Sequence, residues 1–275
     1  MALINRQEFV ELLNSNFLRD LNENKEDFYV GMGNPNADTL LIGSEKALDP
    51  LDTTYAPILR HELELNIDHW IDLLDNYNHI ENPFDLNLLN RNPPLNRFNP
   101  FNPLFLEQTA NIVRNKSGHS YAGMKRLINS VHNQNFGLYT HDFTSNVFSK
   151  IFISELSTNT ALNQNVANFN LANFLDSARY NFLTTTASNF YRSFKTVVIY
   201  CGLKNKYLGK NDSENRLKVI RIFNPTLSHM DLITINTTSS PIKIYSNGLG
   251  SKVILCRHFA AGFGNDMAQA LANHI

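Results

Sequence analysis

Apolar positions near the start of the chain recur at Phe9, Leu12, Leu13, Phe17, Leu18 and Leu21. Steps of three and four place such residues on one helical face, so the pattern predicts a helix over 4–24. A short apolar run, DTLLI at 38–42, stops at Gly43 and reads as a buried strand. Helical spacing returns over 58–78 through Leu59, Leu63, Ile67, Trp70 and Leu74. The segment 82–103 carries five prolines, which deny a backbone both helical and ladder hydrogen bonds. It reads as a long ordered loop, because its leucines and aromatics argue against plain disorder. Helices are predicted at about 104–115 and 121–133, and 164–194 reads as mostly helical. FGLYTHDFTSNVF at 136–148 reads as the approach to a second strand. KTVVIYCG (195–202) is the clearest strand, rich in β-branched and aromatic residues. RLKVIRIFNP (216–225) reads as a fourth, SPIKIYSNG (240–248) as another, and KVILCRH (252–258) as the last, before a helix at about 264–274.

Nearly all-apolar strands separated by helices predict a three-layer α/β/α sandwich with a mostly parallel central sheet. The chain reads as a single domain over 1–275, with a Pro/Asn-rich insertion at about 49–115. In such sheets ligands bind beyond the carboxyl ends of the strands, which makes the residues following each strand the ones to examine.

Composition narrows the classes. Net charge is −1 and the apolar fraction 43%, a globular balance that does not advertise a nucleic-acid binder but leaves room for a local basic patch. Asparagine, at 39 residues, makes much of the polar surface. Two cysteines, Cys201 and Cys256, are too few for a four-thiolate zinc or iron–sulfur centre. Both lie in apolar runs and read as buried thiols in a reducing, cytoplasmic setting. MALINRQEFVELL is amphipathic rather than a secretory leader, and no apolar run approaches the length of a membrane span. No metal or cofactor is expected, no membrane partner either, and oligomeric state stays open.

The strand ends hold a varied chemistry. Gly43-Ser44-Glu45-Lys46 follows the first strand, Thr144-Ser145-Asn146 the second, Gly202-Leu203-Lys204 the third and Arg257-His258 the last. The glycines of GMGNPN precede a strand rather than opening a helix after one, so they are no dinucleotide fingerprint. They read as a turn delivering the chain into the sheet, or as backbone amides set near a ligand.

This order of elements resembles the uracil-DNA glycosylase superfamily. LLIGSEKA resembles the family's water-activating loop, with Glu45 on the position of its Asp or Asn. HSYAGMKRLINSVHNQNFGLY resembles its Pro-Phe-x-Gly segment, with Tyr121 on the aromatic that stacks on a flipped base and Gly123 on the Gly. DFTSNVF resembles the strand ending in Thr-Asn, with Asn146 on the Asn that bonds the base edge. VILCRHFAAG resembles the strand ending in His-Pro-Ser, with His258 on the His that holds a base oxygen. The resemblance spans about 30–270 and implies hydrolysis of the N-glycosidic bond of a flipped base in DNA, a DNA-repair activity without a cofactor. Glu45 would stabilise the cation-like sugar and orient water. His258, as a neutral imidazole, would donate to the departing base. Tyr121 would stack on the base and Asn146 match its edge, while Lys204, Lys206 and Arg257 would meet phosphates. Lys46 stands where the family has Pro, and Phe259-Ala260 where it has Pro-Ser. Those loops pinch the DNA backbone in the family, so a non-catalytic protein binding a nucleobase, nucleotide or nucleic acid is the alternative.

Overall fold

The computed structural model describes residues 3–22, 25–43, 55–79, 100–101, 120–133, 147–157, 171–200, 213–238, 240–259 and 263–275. Strands form at Met32–Gly33 (β1), Thr39–Gly43 (β2), Ile151–Glu155 (β3), Thr196–Ile199 (β4), Leu232–Ile235 (β5), Ile242–Tyr245 (β6) and Lys252–Leu255 (β7). Helices form at Gln7–Leu13 (α1), Asn16–Arg19 (α2), Tyr55–Asn76 (α3), Ser120–His132 (α4), Leu171–Leu175 (α5), Ala178–Thr184 (α6), Ser188–Arg192 (α7), Ser213–Phe223 (α8) and Asn265–Ala272 (α9).

One seven-stranded sheet has the order β1-β3-β2-β4-β7-β6-β5. The central strands β3, β2, β4 and β7 run parallel. Antiparallel pairings add β1 at one side and the β6–β5 hairpin at the other. Three of the six pairings are therefore antiparallel, and the expected mostly parallel sheet is instead mixed. The reason is local: short connections such as 236–241 cannot carry a crossover and can only fold back as hairpins.

Successive residues of the central strands alternate between two cores, as the two-residue pleat requires. Leu40, Ile42, Phe152, Val197, Ile199, Val253 and Leu255 join Phe9 of α1, Trp70 of α3, Phe190 of α7 and Ile220 of α8. Leu41, Ile151, Ile153, Val198 and Ile254 join Met124 and Leu127 of α4 and Met267 and Leu271 of α9. Helices thus cover both faces of the sheet, and the chain is α/β.

Two predicted elements are corrected. RLKVIRIFNP is not a strand: its residues up to Phe223 belong to helix α8. Leu217, Ile220 and Phe223 are buried there at helical spacing, and Asn224-Pro225 ends the helix. The entry into a second strand expected over 136–148 falls mostly outside the described residues, which omit 134–146, and a strand follows at Ile151–Glu155. The single helix expected over 4–24 is split by Ser15. Its Oγ donates to Leu12 O (2.7 Å), closing α1, and accepts from Leu18 N (3.4 Å), opening α2. The helix expected at 104–115 also lies outside the described residues.

Helix α3 falls within the 49–115 stretch, yet it is built into the core. Trp70 is fully buried, edge-on to Phe9 and to Phe101 with ring centroids 5.0 Å apart in both cases. Asn66 Oδ1 accepts from the amides of Val30 (3.0 Å) and Gly31 (3.2 Å), while its Nδ2 and the Trp70 indole donate to Gly31 O. Gly31 has φ +137°, and a Cβ there would lie 2.4 Å from Ile153 O, so only glycine fits. Gly33 N–H donates to Pro100 O and Asn34 N–H to Ile151 O. Of the two readings of GMGNPN, the turn into the sheet is the one observed, with these amides committed to the fold.

Candidate functional site

The four parallel strands end level with one another. Gly43 of β2 pairs with Glu155 of β3, Ile42 with Ile199 of β4, and Ile199 with Leu255 of β7. Hydrogen bonds carry this register past the strands: Leu156 N–H donates to Gly43 O, Tyr200 N–H to Ile42 O, and Cys256 N–H to Ile199 O. The rim of the sheet is thus Glu155, Gly43, Tyr200 and Cys256, in that lateral order. In chain order β2 is followed by β3 on one side, whereas β4 is followed by β5–β7 on the other. Connections leaving the sheet in opposite directions open a crevice between β2 and β4. In the chain, β2 is followed by 44–54, which contains Glu45, and β4 and Tyr200 by 201–212, which contains Lys204 and Lys206. All three residues lie outside the described residues, as does Asn146.

His258 sits at this rim, three residues beyond the end of β7. Burial lowers its pKa from the ordinary histidine value to about 4, so the imidazole is neutral at physiological pH. Its ring centroid lies 5.6 Å from that of Tyr200. Phe259 stacks flat on the other part of the same cluster, 4.4 Å from Tyr200 with an interplanar angle of 6°. Phe259 is 1% exposed and edge-on to Phe263, so the residue following the histidine is anchored in the core beneath α4 and α9. Arg257 is partly buried between Cys256 and His258. Cys256 itself is buried, as expected; Cys201 lies outside the described residues.

Helix α4 reaches the rim through Gly123. A Cβ there would lie 2.4 Å from Phe259 Cβ and 2.8 Å from its carbonyl oxygen. The helix backbone therefore lies directly on the residue next to His258. Tyr121 belongs to the first turn of α4, two residues before that contact. The segments of Tyr121 and His258 are thus brought together. Val147, which follows Asn146, precedes β3: Asn34 N–H bonds both Phe148 O and Ile151 O at the opening of that strand. Strand β3 begins after Asn146, and its carboxyl end presents Glu155.

Glu155 is a rim carboxylate that the sequence reading missed. It is 8% exposed and lies over Gly43: a Cβ at Gly43 would stand 1.9 Å from its Oε2. Absence of a side chain on β2's last residue is what makes room for the acid. Behind it, Arg179 is 3% exposed and donates to Glu155 O (2.7 Å), Ser154 Oγ (3.2 Å) and Tyr29 O (2.5 Å). Tyr191 OH donates to Val30 O at 2.6 Å and lies 3.2 Å from Ser154 Oγ. This buried network pins the end of β3 through both terminal guanidinium nitrogens of Arg179. The missed signal was SEL following an apolar triplet, the same carboxylate-after-strand pattern that picked out Glu45.

Among the described residues no group of His, Cys, Asp and Glu is arranged to hold a metal ion. No helix among them is long and apolar enough to cross a membrane. Compared with protein-family models, with curated proteins and with solved structures, the chain matches none.

Proposed function

We propose that the rim between β2 and β7 binds a flipped nucleobase and that the protein is a divergent uracil-DNA glycosylase-like hydrolase of the N-glycosidic bond. The observation that carries this reading is His258: an imidazole held neutral by burial, beside an aromatic ring, at the carboxyl end of a parallel strand. A neutral imidazole donates one hydrogen bond without carrying charge, which suits a base oxygen that gains negative charge as the bond breaks. Adjacent strands lie about 4.8 Å apart, so the exits of β2 and β7 are separated by about 10 Å. A nucleoside placed across that gap would set its base against His258 and its sugar towards the segment of Glu45, with Glu155 one strand further on. Water then adds to the sugar C1′ as the C1′–N bond breaks; the electron pair leaves with the base, and the proton that water gives up ends on that base. Tyr121 would stack on the base, and Lys204, Lys206 and Arg257 would face the DNA phosphates.

The non-catalytic alternative is favoured by one observation. Phe259, where the resembled family has Pro, is buried on Tyr200, so this loop is held inward instead of standing free to grip a backbone.

The test is incubation with single- and double-stranded oligonucleotides containing uracil, reading free base by chromatography. Release by the parent protein, with a loss of roughly 10²-fold in His258→Ala and an unchanged fold by circular dichroism, is the expected result. Failure to release base, with oligonucleotide retarded in a gel, selects the binding reading. Neither release nor retardation overturns both.

A further inference from the structure

We propose that the open edge of β5 is an interface between two copies of this chain, paired strand to strand about a two-fold axis at Ile233. Four large apolar residues are exposed among the described residues: Phe17, Met230, Ile233 and Leu249. Two of them belong to β5 and the residues just before it. Ile233, 59% exposed, is its second residue, and Met230, 94% exposed, lies two residues before its start. Such clustering at one margin differs from singly scattered surface leucines and marks a contact surface.

The backbone at this margin is open. Ser246 N–H donates to Asp231 O (3.1 Å), and β5 pairs with β6 so that Ile233 faces Ile244. Antiparallel ladders alternate between hydrogen-bonded and non-hydrogen-bonded pairs. Asp231, Ile233 and Ile235 therefore turn their peptide groups to β6, and Leu232 and Thr234 turn theirs outward. Among the described residues, neither Leu232 nor Thr234 has a backbone hydrogen bond outside the sheet. The segment DLITIN contains no lysine and no proline, residues that commonly protect an edge.

A second copy fits this edge by register. Outward groups must meet outward groups, so Leu232 pairs with the partner's Thr234, and Thr234 with the partner's Leu232. Ile233 then meets the partner's Ile233 at the axis, as a non-hydrogen-bonded pair about 4.5 Å apart at Cα. Such self-complementarity is what an isologous contact requires. Electrostatics does not oppose it. The Asp231 carboxylate is taken by Ser228 N–H (2.6 Å) and Ser228 Oγ (2.7 Å), and His229 lies 2.8 Å from Glu214. The two Asp231 residues would stand four residues apart along the ladder, about 13 Å, beyond the screening length of about 8 Å at physiological salt. An isolated extended peptide would satisfy the same two residues, whereas a second copy also sets the exposed Ile233 against its own counterpart.

Light scattering coupled to size exclusion tests this. The expected mass is twice the 31.3 kDa of the chain. Ile233→Lys, which puts two like charges at the axis, and Thr234→Pro, which removes an outward amide and leaves the β6 ladder intact, each return the mass to that of one chain with an unchanged far-ultraviolet circular dichroism spectrum. Ile233→Cys, oxidised, gives a disulfide-linked dimer on a non-reducing gel that the parent chain does not give. A parent protein of single-chain mass at micromolar concentration overturns the proposal, as does a dimer that survives both substitutions.

Discussion

His258 titrates at about 4 in the folded protein and near 6.5 when unfolded, because burial penalises the charged ring. Between those values the unfolded chain binds the extra proton, so stability rises with pH across the window. The contribution is fully present above pH 6.5 and is lost as pH falls towards 4; two and a half units correspond to roughly 3 kcal/mol. Urea unfolding at pH 7 and at pH 4.5 should therefore show a smaller stability difference in His258→Gln than in the parent, with the gap between the two proteins as the readout. At this scale the sequence was partly legible. A histidine placed directly after KVILCR stands out because a strand end is easy to recognise from its apolar run. Glu155 did not stand out, because FISE mixes apolar and polar residues and is followed by Asn-rich chain with no clear periodicity. Its significance comes from Gly43 lying beside it, a contact between residues over a hundred positions apart.

Helix α4 meets Phe259 at Gly123, and two effects compete there. Alanine in place of glycine favours a helix by about 1 kcal/mol, but its Cβ would stand 2.8 Å from backbone atoms of Phe259, which cannot swing aside as a flexible side chain would. The clash should win: Gly123→Ala is expected to destabilise by about 1–3 kcal/mol, measured as a lowered melting temperature, and to disturb the near-ultraviolet signal of the Tyr200–Phe259 stack. Elements with long, regular patterns were legible at this scale. The stripe through Leu63, Ile67 and Trp70 became α3, and TVVI became β4. RLKVIRIF was misread because its β-branched residues suit a strand, while the helix wins by burying Leu217, Ile220 and Phe223 together. Strands β1 and β5 were not foreseen: one has two residues, and the other is an edge whose polar and apolar positions are set by β6.

Across the whole molecule, α3 ties the stretch between β2 and α4 to both α1 and the sheet through Trp70, whose ring also approaches Phe152 of β3 (6.0 Å). Trp70→Ala should cost about 3–5 kcal/mol in urea unfolding followed by circular dichroism. The α/β class was legible because strands buried on both faces need no partner information beyond their own apolarity. Direction was not legible: whether a strand runs parallel or antiparallel depends on connection length and on neighbours that no local run encodes. Alternation of the central strands between two cores has a consequence for how this protein can change through descent. Deleting one codon within Leu40–Ile42 or Val197–Ile199 would exchange the inner and outer facing of every later residue in that strand, offering each helical layer side chains shaped for the other. Length variation among descendants should therefore accumulate in the connections and spare these short runs.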